Sequence, residues 1–358
     1  MHAPVETEIK LLATTAMLDR LGDDPRLAGP QQQACYENAY YDTLGGALGR
    51  AGAALRLRRG AGAAEQTLKL AERAGSPLSR AEWTVPAAGD RLDLTLFPEP
   101  ARTRLEPLLG GSAVACFART LVHRTTRRLS HGASLIEVAF DRGTICARDR
   151  EEPLAELELE LVDGSAADLL ALALELPLGP NLRWSVTGKA ARARTLAFDL
   201  PPAAVRAAAV ELPANATLAE GLRTISWNGV NQLLANYPLA LALSDPEAVH
   251  QTRVAIRRLR TALALFSGGP EARIFAAEFR ALALALAPAR DLHLLHERAG
   301  CEVSRAGTED LADLLAALAA GRDRALDAAR QVLAGEPFQR LLVRFALWLE
   351  AADGLAAA

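Results

Sequence analysis

Up to about residue 200, apolar positions recur every second residue in short runs separated by Gly, Pro and Asp. Beyond Pro201-Pro202 they recur at helical spacing in long Ala/Leu/Arg stretches with few β-branched runs. A period of two marks a strand whose successive side chains face opposite ways, and a period near 3.6 marks a helix packed on one face. The pattern predicts two domains, residues 1–200 rich in strands and residues 201–358 all helical. Strands are expected over residues 5–11, 35–42, 54–59, 65–70, 80–85, 121–129, 134–140 and 154–162. Thr14 or Thr15 caps a short helix ending near Gly22, residues 103–109 form another, and Ser165 caps a third over residues 166–176, since a hydroxyl there accepts from a free first-turn amide. Many short strands without regular intervening helices argue for a closed antiparallel sheet. The expected fold class is α+β: an antiparallel closed β-barrel with flanking helices, then an all-α domain.

The polar faces of these strands carry charge. Glu6, Glu8 and Lys10 share one face opposite Val5, Thr7 and Ile9. Arg56 and Arg58 share a face, as do Thr67 and Lys69, and Glu137 and Asp141. Glu156, Glu158 and Glu160 line up opposite alanine and leucines. A solvated sheet face is the plain reading of one such strand. Same-sign charges stacked on one face repel unless something of opposite sign lies between them, and acidic and basic strands coexist here. Turned inward in a closed barrel, the carboxylates would suit a hard divalent cation, and the Arg and Lys groups would suit phosphate oxygens.

Composition narrows the class further. A chain of 358 residues, 50% hydrophobic and 23% charged, is globular and long enough for two cores. The formal charge of -3 is a near-cancellation of 40 basic and 43 acidic residues, so the placement of each sign matters more than the sum. Cys35, Cys116, Cys146 and Cys301 form no C-x-x-C pair, so neither a zinc knuckle nor a disulfide framework is indicated, and reduced thiols in the cytoplasm are the plain reading. Glu6, Glu8 and Lys10 stand where a signal peptide would need an apolar run. No stretch approaches the ~20 apolar residues of a membrane span, so no membrane partner is expected.

Taken in order, Glu6-x-Glu8-x-Lys10, Gly52-x-Ala54-Leu-Arg-Leu-Arg58, Thr67-Leu-Lys69, Ile136-Glu-Val-Ala-Phe-Asp141-x-Gly and Glu156-Leu-Glu-Leu-Glu160 resemble the CYTH, or triphosphate tunnel metalloenzyme, family over roughly residues 3–200. The resemblance implies an antiparallel barrel forming a tunnel, with Mg2+ (or Mn2+) as cofactor and tripolyphosphate, thiamine triphosphate or a nucleoside triphosphate as substrate; a few members are adenylate cyclases. It implies metal ligation by Glu6, Glu8, Asp141, Glu156 and Glu158, and phosphate binding by Lys10, Arg56, Arg58, Lys69, Arg124 and Lys189. Glu6, Glu8, Lys10, Arg56, Arg58 and Lys69 would then carry catalysis. Glu82 and Glu137 are further lumen carboxylates. Spacing leaves open which two of Glu156, Glu158 and Glu160 touch metal. Arg128 shares the face of Arg124, and Arg127 does not. The implied mechanism is metal-assisted hydrolysis, one cation clamping the phosphate chain and another activating water, with the basic residues neutralising charge on the leaving pyrophosphate.

Other chemistries find little footing. Thr187-Gly188-Lys189-Ala190 lacks the spaced glycine, the hydroxyl after lysine and the preceding strand of a phosphate loop. In the resembled family a lysine in such a segment closes the tunnel, with Arg192 following. His123 and His131 have no partners at nucleophile spacing and read as strand-end or surface histidines.

In the second half, His250, Arg253, Arg257 and Arg260 fall within ~80° of arc on a helix turning ~100° per residue. Like charges on one ridge repel by a few tenths of a kcal/mol per pair, a penalty that an anionic partner reverses. Asp245-Pro-Glu-Ala-Val-His250 through Arg260, with Ala289-Arg-Asp-Leu292, resembles the CHAD family of conserved-histidine helical domains, which bind inorganic polyphosphate, over about residues 215–350. The resemblance implies polyphosphate binding by His250, Arg253, Arg257 and Arg260 and association with polyphosphate granules. Only one copy of the two-copy helical unit is expected, a shortened domain whose uncovered apolar face would favour homo-oligomers. No aromatic residues interleave this ridge, so a nucleic-acid partner is not expected.

Two functional classes follow. One is a metal-dependent triphosphatase cleaving tripolyphosphate to pyrophosphate and phosphate, with adenylate cyclase or thiamine triphosphatase as variants. The other is a non-catalytic polyphosphate-binding protein that localises to granules.

Overall fold

The structure, a computed structural model, describes residues 4–351 apart from 61, 72–74, 88, 90, 202, 244–245, 267–268 and 307–311. Pro202, Asp245 and the last seven residues, which entered the sequence reading, lie outside the described residues. The chain forms two compact units, Met1–Leu176 with Asn181–Pro202, and Pro177–Pro180 with Ala203–Ala358.

The first unit is a closed barrel. Its strands are β1 (Val5–Ala13), β2 (Gln31–Thr43), β3 (Ala53–Arg59), β4 (Glu65–Ala71), β5 (Ser79–Pro86), β6 (Val114–His131), β7 (Ser134–Ala147) and β8 (Arg150–Asp163). They are ordered β5-β4-β3-β2-β6-β7-β8-β1, and β5 pairs with β1 to close the sheet. A short β9 (Leu182–Trp184) extends β1 at its far end, Leu11 opposite Trp184. All eight expected strands are present. The longer β6, β7 and β8 outrun the alternating core of each pattern because the β6–β7 and β7–β8 ladders continue through Arg119↔Cys146 and Cys146↔Glu151. Gly132, at φ 59, makes the tight link between β6 and β7 in a left-handed conformation that glycine adopts without a Cβ penalty. Gly143 is required by space instead: a Cβ there would run into the carbonyl oxygen of Leu121.

Helices cover the outside and one end. Helix α1 (Thr15–Gly22) is capped by the Thr14 hydroxyl, which accepts from Met17 N at 3.2 Å. Outward-facing Leu55, Leu68 and Trp83 pack with Leu48 of α2 (Ala47–Arg50) and with Ala101 and Leu105 of α3 (Glu99–Leu109), each large side chain contributing about 1.5–3 kcal/mol by leaving water. Ser165 caps α4 (Ala166–Glu175), accepting from Asp168 N. The last helix of the unit, α5 (Lys189–Phe198), inserts Ala193 and Ala197 against Tyr40, Ala118, Val122, Ile145 and Leu154. Most of these partners sit on inward-facing strand positions, so α5 stoppers the barrel with hydrocarbon.

The second unit holds α6 (Leu218–Leu243), α7 (Pro246–Phe266), α8 (Pro270–Ala285), α9 (Ala287–Ala306), α10 (Ala312–Ala334) and α11 (Glu336–Glu350). Trp227, Val230, Leu233, Tyr237, Ile256, Leu259, Phe279, Leu333, Phe338 and Phe345 are buried in it, with edge-on ring pairs Tyr237–Phe338 at 5.2 Å and Phe279–Phe345 at 5.1 Å. Asn236 clamps the extended lead-in segment by exchanging two 2.8 Å hydrogen bonds with the backbone of Val205. Among the described residues, no helix is long and apolar enough to cross a membrane.

Candidate active site in the barrel tunnel

Strand alternation turns the charged faces inward, around a cavity of about 570 Å³ lined by Glu6, Lys10, Arg56, Arg58, Lys69, Arg80, Glu82, Arg124, Glu137, Glu158, Glu160 and Lys189 among others. Register then sets acids beside bases: Arg124 lies opposite Asp141, Asp141 opposite Glu156, Lys10 opposite Glu158 and Lys69 opposite Glu82.

At one level of the tunnel Asp141, Glu156 and Glu158, all buried, bring carboxylate oxygens within 4.8 Å of one another. Four cations meet them, Arg192 most loosely, its Nη1 3.6 Å from Glu156. Arg124 donates from Nε and Nη2 to the two oxygens of Asp141, both at 2.6 Å, and also reaches Glu158. Lys10 Nζ stands 3.0 Å from Glu158 and 3.2 Å from Glu8. Lys189 Nζ stands 2.7 Å from Asp141 and 3.0 Å from Glu158 and also contacts Glu156. Burial disfavours every charge here, but the mutual fields decide the outcome. Against burial, Lys189 and Lys10 hold Glu158 well below the ordinary carboxylate range, and Lys189 and Arg124 lower Asp141. For Glu156 burial wins, aided by its two carboxylate neighbours, and its pKa rises. Lys10 and Lys189 are both pushed above the usual lysine range, the carboxylates overcoming burial.

A second acidic group has fewer partners. Glu6 accepts from Lys69 (2.6 Å) and Arg80 (3.0 Å), Lys69 also reaches Glu82 (2.7 Å), and Arg80 contacts Glu8. Burial opposes it, but Lys69 brings Glu82 down to about 2. Glu160, opposite both Glu8 and Glu137, has no hydrogen-bond or ion-pair partner among the described residues. Burial and the charges of Glu6 and Glu137 raise it to about 7.

Across the cavity lies a cationic wall. Arg58 donates to Asn38 (2.8 Å) and faces Glu65 at 3.3 Å, while burial and the neighbouring Arg56 and Arg124 lower its pKa to about 10. Arg56 donates to Thr67 at 3.0 Å, and its buried Nε has no partner among the described residues. A guanidinium held in place beside an open cavity with donors to spare is equipped to take an oxyanion.

The structure thus brings Lys10, Arg56, Arg58, Lys69, Arg124 and Lys189 to one cavity. It separates the expected metal ligands into two groups, with Lys10 bridging Glu8 to Glu158 of the buried trio. Arg128 pairs with Glu137 at 2.9 Å and is largely exposed, whereas Arg127 turns outward to Gln31 and the backbone of Gly22. Two residues, Arg80 and Arg194, escaped the sequence reading, which left Glu160 open as a metal ligand and placed Arg192 only as following Lys189. Arg80 shares the alternation of Glu82, so its signal was there to be read. Arg192, which holds Glu152 at 2.8 Å, and Arg194, which contacts buried Asp42, lie on α5, whose short Ala/Arg run carries no apolar stripe.

All three lysines of the chain, Lys10, Lys69 and Lys189, are in this tunnel, and every other member of the 40 basic residues is arginine.

The family model described as CYTH domain matches residues 5–193, more than half of the chain. The chain belongs to the CYTH family. A second model, CHAD domain, matches residues 224–358, so a CYTH barrel is followed by CHAD helices. The chain is 33% identical over 159 residues to the "Inorganic triphosphatase" of Haemophilus influenzae, covering 43% of this chain and 44% of that protein; it spans under half the length of that relative. Among solved structures it is similar to a putative adenylate cyclase from Bacillus halodurans (20% identity, TM-score 0.36, 49% of this chain and 89% of that one). It is also similar to the CHAD domain of Ricinus communis (28% identity, TM-score 0.39, 44% of this chain and 53% of that one).

The CHAD match takes in residues 224–358 as one domain. The expected shortening is therefore corrected, and α6–α11 bury a core of their own around Tyr237, Phe279 and Phe345. On α7, His250, Arg253 and Arg260 are half-buried and Arg257 is exposed, while Ile256, Leu259 and Leu263 pack inward. Arg253 is partly committed already, donating to the carbonyl of Ala283 at 2.6 Å.

Proposed function

We propose that this protein is a metal-dependent triphosphatase that cleaves inorganic tripolyphosphate to pyrophosphate and phosphate inside the barrel. The observation that carries the reading is a cationic wall, Arg56 and Arg58, facing two carboxylate groups and their partners Lys69 and Arg124 across one cavity. The relative in Haemophilus influenzae that bears the name inorganic triphosphatase supports it.

The carboxylates fit a hard cation: several oxygen donors converge within 4.8 Å in the buried trio, the donor type that Mg2+ or Mn2+ takes. Asp141, Glu156 and Glu158 would hold one such ion, and Glu6 and Glu8, joined by Glu160, another. When bound, the ion supplies Lewis-acid polarisation of a phosphoryl oxygen. The protein's own residues do the rest. Arg56 and Arg58 grip non-bridging oxygens, and Arg56 has its free Nε to add to them. Lys69 and Arg124 neutralise charge as it gathers on the leaving pyrophosphate, fixed before the reaction by their carboxylate partners. The apolar stopper of α5 keeps bulk water from that end, which strengthens each of these attractions.

His250, Arg253, Arg257 and Arg260 of the helical unit are proposed to bind longer inorganic polyphosphate, Arg257 most directly because it is the most exposed.

The test is phosphate release from tripolyphosphate, ATP and thiamine triphosphate, each with and without Mg2+, together with a search for cyclic AMP. Mg2+-dependent release fastest from tripolyphosphate is expected. Binding of tripolyphosphate without turnover would instead establish the non-catalytic polyphosphate-binding reading.

A further inference from the structure

Lys189 occupies an unusual place for a residue expected to bind substrate. Its ammonium sits among all three carboxylates of the trio, contacting Asp141, Glu156 and Glu158 at once, where a divalent ion would have to sit to use the same oxygens. A lysine ammonium is a compact point charge on a flexible stem. It is a reasonable stand-in for a metal ion and also a movable one.

The local architecture allows the side chain to leave while the helix stays. Lys189 is the first residue of α5, following Gly188 in extended conformation. The helix is anchored further along by Arg192, on Glu152 and the carbonyl of Pro153, and by Arg194, on Asp42 and the carbonyl of Gly46. Ala193 and Ala197 are fixed in the apolar stopper. Lys189 also lines the cavity, so a change of rotamer carries its charge from the trio to the space a phosphate would fill. Lys10, Arg124 and, at 3.6 Å from Glu156, Arg192 remain with the trio in either position.

We propose that Lys189 is an exchangeable internal cation: it neutralises the Asp141–Glu156–Glu158 trio until a divalent ion takes those oxygens, and is thereby released to bind phosphate. This rests on the proposed metal-dependent function and adds an order to it, since the ion and Lys189 exclude each other at the trio while ion binding makes one more phosphate ligand available. Such linkage makes metal and phosphate bind with positive coupling.

Two measurements on the full chain, both without substrate, test it. Mn2+ binding to metal-stripped protein is followed by the paramagnetic resonance of free Mn2+. In Lys189→Met the weaker class of Mn2+ site should tighten at least tenfold, while Lys189→Arg, which keeps a cation, should stay within about threefold of wild type. Should Lys189→Met not fold, wild-type protein still decides the matter through lysine amidination read by peptide mass spectrometry, which has only three side-chain targets. Mn2+ should speed modification of Lys189 at least threefold relative to Lys10. Unchanged Mn2+ affinity in a folded Lys189→Met variant, or Mn2+ leaving Lys189 labelling unchanged or slower, overturns the inference. A protein that hydrolyses tripolyphosphate yet fails these tests refutes only the exchange; one that passes them yet never turns over refutes only the proposed function.

Discussion

The two carboxylate groups of the tunnel are built from the same residue types on neighbouring strands, yet they are opposite in electrostatic condition. Asp141, Glu156 and Glu158 are buried and met by Arg124, Lys10 and Lys189. Glu6, Glu8 and Glu82 share Lys69, Arg80 and one contact with Lys10, and among the described residues Glu160 has no hydrogen-bond or ion-pair partner. The charge of the first group is matched by the protein's own cations; the second holds surplus negative charge beside open space. A metal ion would therefore relieve repulsion at the second group but must displace a cation at the first.

That contrast can be broken most severely at Asp141. Asp141→Asn leaves Arg124 and Lys189 facing one carboxylate fewer in a buried site, which costs about 3–5 kcal/mol; urea unfolding should show it, and a loss under 1 kcal/mol would mean the trio is not a structural ion-pair core. Arg56→Ala, on the facing wall, should do the reverse. It removes a guanidinium bonded, among the described residues, to Thr67 alone, so unfolding should barely move while tripolyphosphate turnover falls about 10²–10³-fold, as when one preorganised oxyanion donor is lost.

Glu160→Gln sharpens the comparison through pH. In the metal-free protein its carboxyl titrates at about 7 instead of 4.5, so the folded state binds more protons than the unfolded one between those values. Stability from this group is full below about pH 4.5 and is lost as pH rises through about 7. The stabilisation of Glu160→Gln relative to wild type should therefore grow over that window and level off above it, with the opposite slope contradicting the unpaired state of Glu160. Smallest of all, Arg257→Ala touches neither carboxylate group, and should weaken retention on long-chain polyphosphate a few-fold while sparing tripolyphosphate turnover.

The barrel was legible because period-two alternation fixes which residues share a face: Glu6 with Glu8, Arg56 with Arg58, and Glu156 with Glu158 and Glu160 all stand as the pattern requires. Cross-strand register was not legible. Nothing in the order of residues sets Lys10 opposite Glu158 or leaves Glu160 between Glu8 and Glu137, and those pairings are what separate a balanced group from an unbalanced one. Helix α5 was missed for a related reason. Its buried face is made of Ala193 and Ala197, too small to print a hydrophobic stripe, though it seats Lys189, Arg192 and Arg194 at the end of the tunnel. On α7 the arginine ridge was read correctly as a ridge, but its capture of the Ala283 carbonyl by Arg253 depends on where α8 ends.

Crystals soaked with Mn2+ and tripolyphosphate, recorded at the manganese absorption edge, test the central claim most directly. Anomalous peaks should fall inside the barrel against the carboxylates of Glu6, Glu8 and Glu160 and of the Asp141 trio, with the phosphate chain against Arg56 and Arg58. Manganese and phosphate found only on the barrel's exterior, with Lys69 and Arg124 still locked to their carboxylates around an empty cavity, would contradict it.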